Sequence, residues 1–338
     1  MKSQRFSITS VIAILIVGLI IVAVRSEGAG KRVQARAERR PSAEAAQASS
    51  AITLSVPAKV APKASSNGPE FSAFASAVTR NSELQSNLGW TFGGKAQRGW
   101  ALYTPLIANL IGCHSDIAGE LAMRVSTWQQ MNGVDATGVL DGDTWSRMVT
   151  TFQSQRMKWQ PPASEGQLIT IPIADCYDPE RPEELRKADR ESFAAYKKMV
   201  AAAAADKSLG LALTSDGQLA EGKKYFKIVS AFRSREYQDQ LRRQSPNSGR
   251  AGLAVNSPHN TGRAFDLYVG GEPVSTKDEN RALQTRTSAY RWLVKNAARF
   301  GFRPYFYEPW HWEYAGIQSD GETRRHGDAV KLERPKLD

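Results

Sequence analysis

Residues 6–24, FSITSVIAILIVGLIIVAV, contain no charged side chain. As a helix, nineteen residues rise about 28 Å, close to the thickness of a hydrocarbon core, and a segment apolar on all sides is a poor surface helix. The run therefore predicts a membrane segment and removes itself from any globular core. Lys2 and Arg5 precede it, which also suits a cleaved signal peptide, but Arg25 and Glu27 interrupt the place where a small-x-small cleavage site would lie. The uncleaved signal anchor is the favoured reading.

The anchor changes the meaning of the net charge of +11. Residues 1–40 hold eight basic and two acidic residues, so more than half of the excess flanks the apolar run. The remaining chain shows no nucleic-acid-binding module, and a nucleic-acid partner is not expected. Six basic residues follow the run and two precede it, which by the positive-inside rule would place the C-terminal part in the cytoplasm. The chemistry of the later motifs favours the opposite side.

Six regions follow from composition and pattern: an anchor over 1–26, an Ala/Ser/Pro-rich tether over 27–80, a small helical domain over 81–156, a proline-rich connector over 157–183, an α+β domain over 184–320 and a polar tail over 321–338. In the helical region Leu106, Ile107, Leu110 and Ile111 recur at helical spacing, as do Leu121, Val125 and Trp128. Gly133 is a helix stop, and Asp141 or Asp143 is placed to cap a last helix carrying Trp145. In the larger domain one helix is expected over 184–206 and strands over 211–214, 226–230 and 264–269. Two cysteines exclude a disulfide scaffold, but in an exported protein Cys113 and Cys176 could join the helical domain to the connector; two buried free thiols are the alternative.

With four histidines, any histidine-based metal site draws on His114, His259, His311 and His326. His259 and Asp266 lie seven apart in SPHNTGRAFD, and Gly262 allows the backbone to fold back before a strand so that imidazole and carboxylate converge. In YFYEPWHWEY, Pro309 argues against a helix, so Glu308 and His311 belong on an extended segment or bend. Two imidazoles and one carboxylate are ordinary zinc ligands, and zinc lowers the pKa of a bound water towards about 7. Glu308 is the carboxylate left over to move the proton. Glu313 is another carboxylate beside His311, as well suited to support a ligand as to sit at the surface.

These residues resemble the zinc metallopeptidases of the D-alanyl-D-alanine carboxypeptidase and dipeptidase family (VanY-like), which share their fold with the Hedgehog signalling domain. The pattern Ser-x-His-x-x-Gly-x-Ala-x-Asp is met by Ser257, His259, Gly262, Ala264 and Asp266, and Glu-x-x-His by Glu308 and His311. Upstream, Ser-x-Tyr-Arg-Ser is met by Ser230, Phe232, Arg233 and Ser234, with phenylalanine in place of tyrosine. The resemblance implies Zn2+ on His259, Asp266 and His311, Glu308 as general base, and Arg233 orienting the substrate and stabilising the oxyanion. It also implies that Ser257, Ser234 and Gln238 help to hold the peptide.

The helical region resembles the three-helix peptidoglycan-binding domain through Trp128-Gln129, Gly133, Thr137-Gly138-Val139-Leu140-Asp141 and Thr144-Trp145. With the apolar run, the resemblances imply a single-pass protein of the bacterial inner membrane whose catalytic part faces the periplasm or extracytoplasmic space and trims peptidoglycan stem peptides. D-alanyl-D-alanine carboxypeptidase action is the leading expectation; an L-alanyl-D-glutamate endopeptidase, an LD-carboxypeptidase and a non-catalytic wall-binding module are the alternatives.

Overall fold

The computed structural model describes residues 69–113, 115–245 and 254–317. The apolar run, most of the tether, His114 and the tail with His326 lie outside the described residues. Within them no helix is long and apolar enough to cross a membrane.

Helix α1 (Ala75–Asn87) leads into a hairpin of β1 (Gly89–Phe92) and β2 (Lys95–Arg98). The hairpin lies outside the strands expected from the sequence. Its signal is the pair Gly93-Gly94, whose φ values of 58° and 80° supply the two left-handed residues of a tight turn. Then come α2 (Thr104–Ile111), α3 (Ala118–Met131) and α4 (Gly142–Ser154), at the expected periodic stretches. Asp141 caps α4 by accepting from Thr144 N at 2.9 Å.

Two buried amides hold the turn between α3 and α4. Gln129 accepts from Gly138 N at 2.8 Å and donates to Val139 O at 2.9 Å, while Asn81 donates to Gly138 O and accepts from Leu140 N. The glutamine of the Trp-Gln pair thus satisfies backbone groups that would otherwise be buried unpaired.

Within the connector, β3 (Leu168–Thr170) forms and pairs antiparallel with β4 (Lys187–Asp189) beyond it, and α5 spans Arg190–Ala205. The helix expected from residue 184 starts six residues late. Asp189 accepts from Ser192 N at 2.9 Å and so sets the N-terminus there, while the three residues before it pair as a strand. Of the strand expected over 211–214 only a bridge between Leu213 and Leu219 forms. The remaining elements are β5 (Ile228–Ser230), α6 (Arg235–Gln244), β6 (Ala264–Leu267), α7 (Asp278–Arg286), α8 (Ser288–Asn296), β7 (Phe302–Pro304) and β8 (His311–Tyr314). The four strands form one antiparallel sheet in the order β5-β6-β8-β7.

One apolar cluster runs through both halves of the described chain. Phe306, on the turn before β8, packs against Phe92 of the hairpin at 4.7 Å and against Phe152 and Trp145 of α4 at 6.1 and 6.4 Å between ring centroids. Aromatic contact of this kind, not a disulfide, joins the helical part to the sheet. The expected Cys113–Cys176 bridge is not made: both thiols are buried and free, each 3.7 Å from a nearby backbone oxygen, of Ser115 and Pro172 respectively.

Candidate metal centre

His259 sits in a short 3-10 turn, Pro258–Thr261, whose first backbone donor, His259 N, meets Ser257 Oγ. Gly262 closes the turn with φ +70°; a Cβ there would lie 2.7 Å from Asp189 N, so a larger residue would meet both a strained backbone and a steric clash. The chain then enters β6, which carries Asp266. The register of β6 on β8 sets Asp266 directly opposite His311. A local reversal and one cross-strand pair therefore deliver three side chains to one point.

His259 Nε2 and His311 Nδ1 lie 3.3 and 3.0 Å from the same oxygen, Asp266 Oδ1, and the donor atoms of all three residues fall within 4.8 Å of one another. All three are buried. The outer nitrogen of each ring is also engaged. His259 Nδ1 donates to Ala231 O at 2.6 Å and His311 Nε2 to Glu313 Oε1 at 3.2 Å, which fixes both rings with His259 Nε2 and His311 Nδ1 facing Asp266. Two oriented imidazoles and a carboxylate are a donor set that fits a zinc ion.

Electrostatics follow from burial and pairing. Desolvation, aided by Arg233, lowers the His259 pKa to about 4. Burial also opposes protonation of His311, but hydrogen bonds and charge from Asp266 and Glu313 outweigh it and raise its pKa to about 9, so a metal entering here displaces a proton. Burial alone would raise Asp266, yet the charges of His259 and Arg233 and bonds from both imidazoles hold it well below the usual carboxylate range. Glu308 is buried in the turn before β8, and desolvation lifts its pKa to about 8. A cation held by the three donors acts in the opposite direction and favours the carboxylate.

Arg233 Nη2 pairs with Asp266 Oδ2, and its Nε donates to Ser230 Oγ at 2.9 Å. The arginine is thus fixed at the edge of the donor cluster. Among the other expected substrate contacts, Ser257 borders an open cavity beside His259. Ser234 caps α6 by accepting from Tyr237 N, and Gln238 is buried and donates to Ala254 O. Trp310 and Trp312 are packed in the core.

Sequence reading missed Arg156. It lies just past α4, yet its Nε donates to Glu313 Oε1 at 3.0 Å, and the neighbouring Met157 N donates to Glu313 Oε2 at 3.0 Å. Glu313, whose side chain is wholly buried, therefore links His311 to the helical part of the protein. No local pattern could signal a pairing 157 positions apart.

Sheet, turn and donor set define a candidate zinc centre. Residues 185–317, under half of the chain, match the family model of VanY, D-alanyl-D-alanine carboxypeptidase, and this segment is a VanY-type domain. Two solved structures are similar. One is the LD-carboxypeptidase LdcB, with 20% identity over 51% of this chain and 75% of that one, and a TM-score of 0.32. The other is a mutant of the vancomycin-resistance D,D-pentapeptidase VanY in complex with Zn(II), with 23% identity over 47% and 89% and a TM-score of 0.28. No curated protein matches the chain.

Proposed function

We propose that the protein hydrolyses the terminal D-alanyl-D-alanine bond of peptidoglycan stem peptides. The observation that carries this reading is the convergence of His259, Asp266 and His311 beside the buried carboxylate of Glu308, in a segment matching the VanY family model. Zinc held by those three residues would supply Lewis acidity and make water a competent nucleophile near neutral pH.

The chain's own residues do the rest. Glu308 takes the proton from the attacking water and returns it to the leaving amine. Arg233 spends Nε and Nη2 on Ser230 and Asp266, leaving the Nη1 donors to meet the negative charge that develops on the scissile carbonyl oxygen. Glu313 and Ala231 O hold the two imidazoles in the orientation that presents their lone pairs. Burial of the cluster strengthens each of these interactions.

In this reading the helical part contacts the glycan strand, and residues 6–24 anchor the protein in the cytoplasmic membrane with its catalytic part outside. Incubation with defined muropeptides and mass spectrometry tests the cut. Loss of one terminal alanine from a pentapeptide supports the proposal; loss of the last residue from a tetrapeptide selects an LD-carboxypeptidase, and a new internal amine end selects an endopeptidase.

A further inference from the structure

The connector does more than join two regions. Residues 156–163 are tied at both ends to the segments that carry the metal-ligand histidines. At the near end Arg156 and Met157 bind Glu313, two residues from His311, and the Arg156 guanidinium lies 4.1 Å over the Tyr305 ring. At the far end Ala163 N donates to Asn260 O at 2.9 Å, and Asn260 Nδ2 donates to Arg233 O at 2.7 Å. Asn260 adjoins His259.

Between these ties lies a cavity of about 420 Å³. Arg156, Lys158 and Trp159 line one side, and Arg235, Ser257 and Pro258 the other. Three of its lining residues are basic and none is acidic. Lys158 and Arg235 are exposed, and neither forms an ion pair with a described carboxylate. Trp159 is 72% exposed, a large ring left in water where it lines this cavity. Two cationic groups with no ion-pair partner among the described residues, beside an exposed aromatic surface, suit an extended ligand that brings its own negative charge.

We infer that this cavity is a specificity subsite for a peptide carboxylate other than the C-terminal one, held by Lys158 and Arg235 while Trp159 covers the apolar part of the peptide. The inference rests on the peptidase reading above and assigns part of the substrate recognition to the connector. It predicts a preference for stem peptides with a free acidic group over the same peptides carrying a carboxamide there.

The test uses the full zinc-loaded chain with Glu308→Gln, so that bound peptide is not turned over. Two pentapeptides are titrated by calorimetry, identical except for a carboxylate or a carboxamide at the acidic residue. The carboxylate form should bind about tenfold tighter at low ionic strength, with a smaller ratio as salt rises. Adding Lys158→Ala and Arg235→Ala should bring the ratio below about twofold, while Lys223→Ala with Lys224→Ala, which line a separate cavity, should leave it intact. Equal binding of both peptides, or a preference that survives the first pair of substitutions, overturns the inference. Turnover by the chain with Glu308 intact separates the two proposals. Cleavage of both peptides without preference removes the subsite and leaves the peptidase, whereas discrimination in binding without cleavage of either removes the peptidase and leaves the subsite.

Discussion

Arg156 and Glu313, 157 positions apart, form an ion pair in which the glutamate side chain is completely buried and the arginine is 24% exposed. The pair connects the end of α4 to the carboxylate that orients His311. Burial would raise the Glu313 pKa, but His311 and Arg156 outweigh it and hold it at about 2. The helical part is in this way wired into the metal centre.

Removing the arginine should expose that dependence. Arg156→Ala leaves a buried carboxylate with one fewer cationic partner and should cost about 3 kcal/mol of stability. Because Glu313 orients a metal ligand, zinc affinity should fall by about 10- to 100-fold. Thermal melts and competition with a chromogenic chelator measure the two effects, and an unchanged zinc affinity would contradict the supporting role of Glu313.

Metal content and turnover should separate the ligands from the base. Metal analysis of the purified chain should give about one zinc per molecule, and His259→Ala should abolish it. Glu308→Gln should retain zinc while lowering kcat by about 10²- to 10⁴-fold. Normal turnover by that variant would remove Glu308 from proton transfer.

Gly262→Ala probes the reversal that brings His259 to Asp266. With φ at +70° and Asp189 N only 2.7 Å from the new Cβ, both strain and overlap oppose the substitution. A loss of about 2–4 kcal/mol in chemical denaturation is expected, together with weaker zinc binding. A neutral outcome would mean that the turn is not needed to place His259.

The thiol of Cys176 should be inert in the folded chain. Burial raises its pKa from 9.0 to about 11. Between those values the unfolded chain gives up a proton that the folded chain keeps, so this group's contribution to stability is present below about pH 9 and falls as pH rises towards about 11. Iodoacetamide at pH 8, read by mass spectrometry, should label Cys176 only after denaturant is added. Rapid labelling of the native protein would show that the thiol is accessible.

Much of the local structure could be read from the chain because its causes lie within a few residues. Asp141 caps α4 through Thr144, and Gly133 takes a left-handed φ of 64° after α3. The turn at Gly262 and the strand carrying Asp266 depend on neighbouring backbone angles in the same way. Where local signals compete, the nearer one does not decide: the helix formers from residue 184 favour one continuous helix, but Asp189 caps a later start and β4 finds a partner in β3. The cysteine pairing failed for a different reason, since an oxidising compartment permits a bridge without bringing two thiols together.

Sequence alone determined the donor types, the reversal that joins His259 to Asp266, and the nearness of Glu308 to His311, since each depends on spacing within a short segment. Only the tertiary structure decided that Asp266 stands opposite His311, that Arg156 reaches Glu313, and that the connector walls a basic cavity beside the site. Those relations arise from strand register and from the packing of Phe306 against Phe92, Trp145 and Phe152, which depends on distant surfaces fitting one another and leaves no periodic trace in the chain.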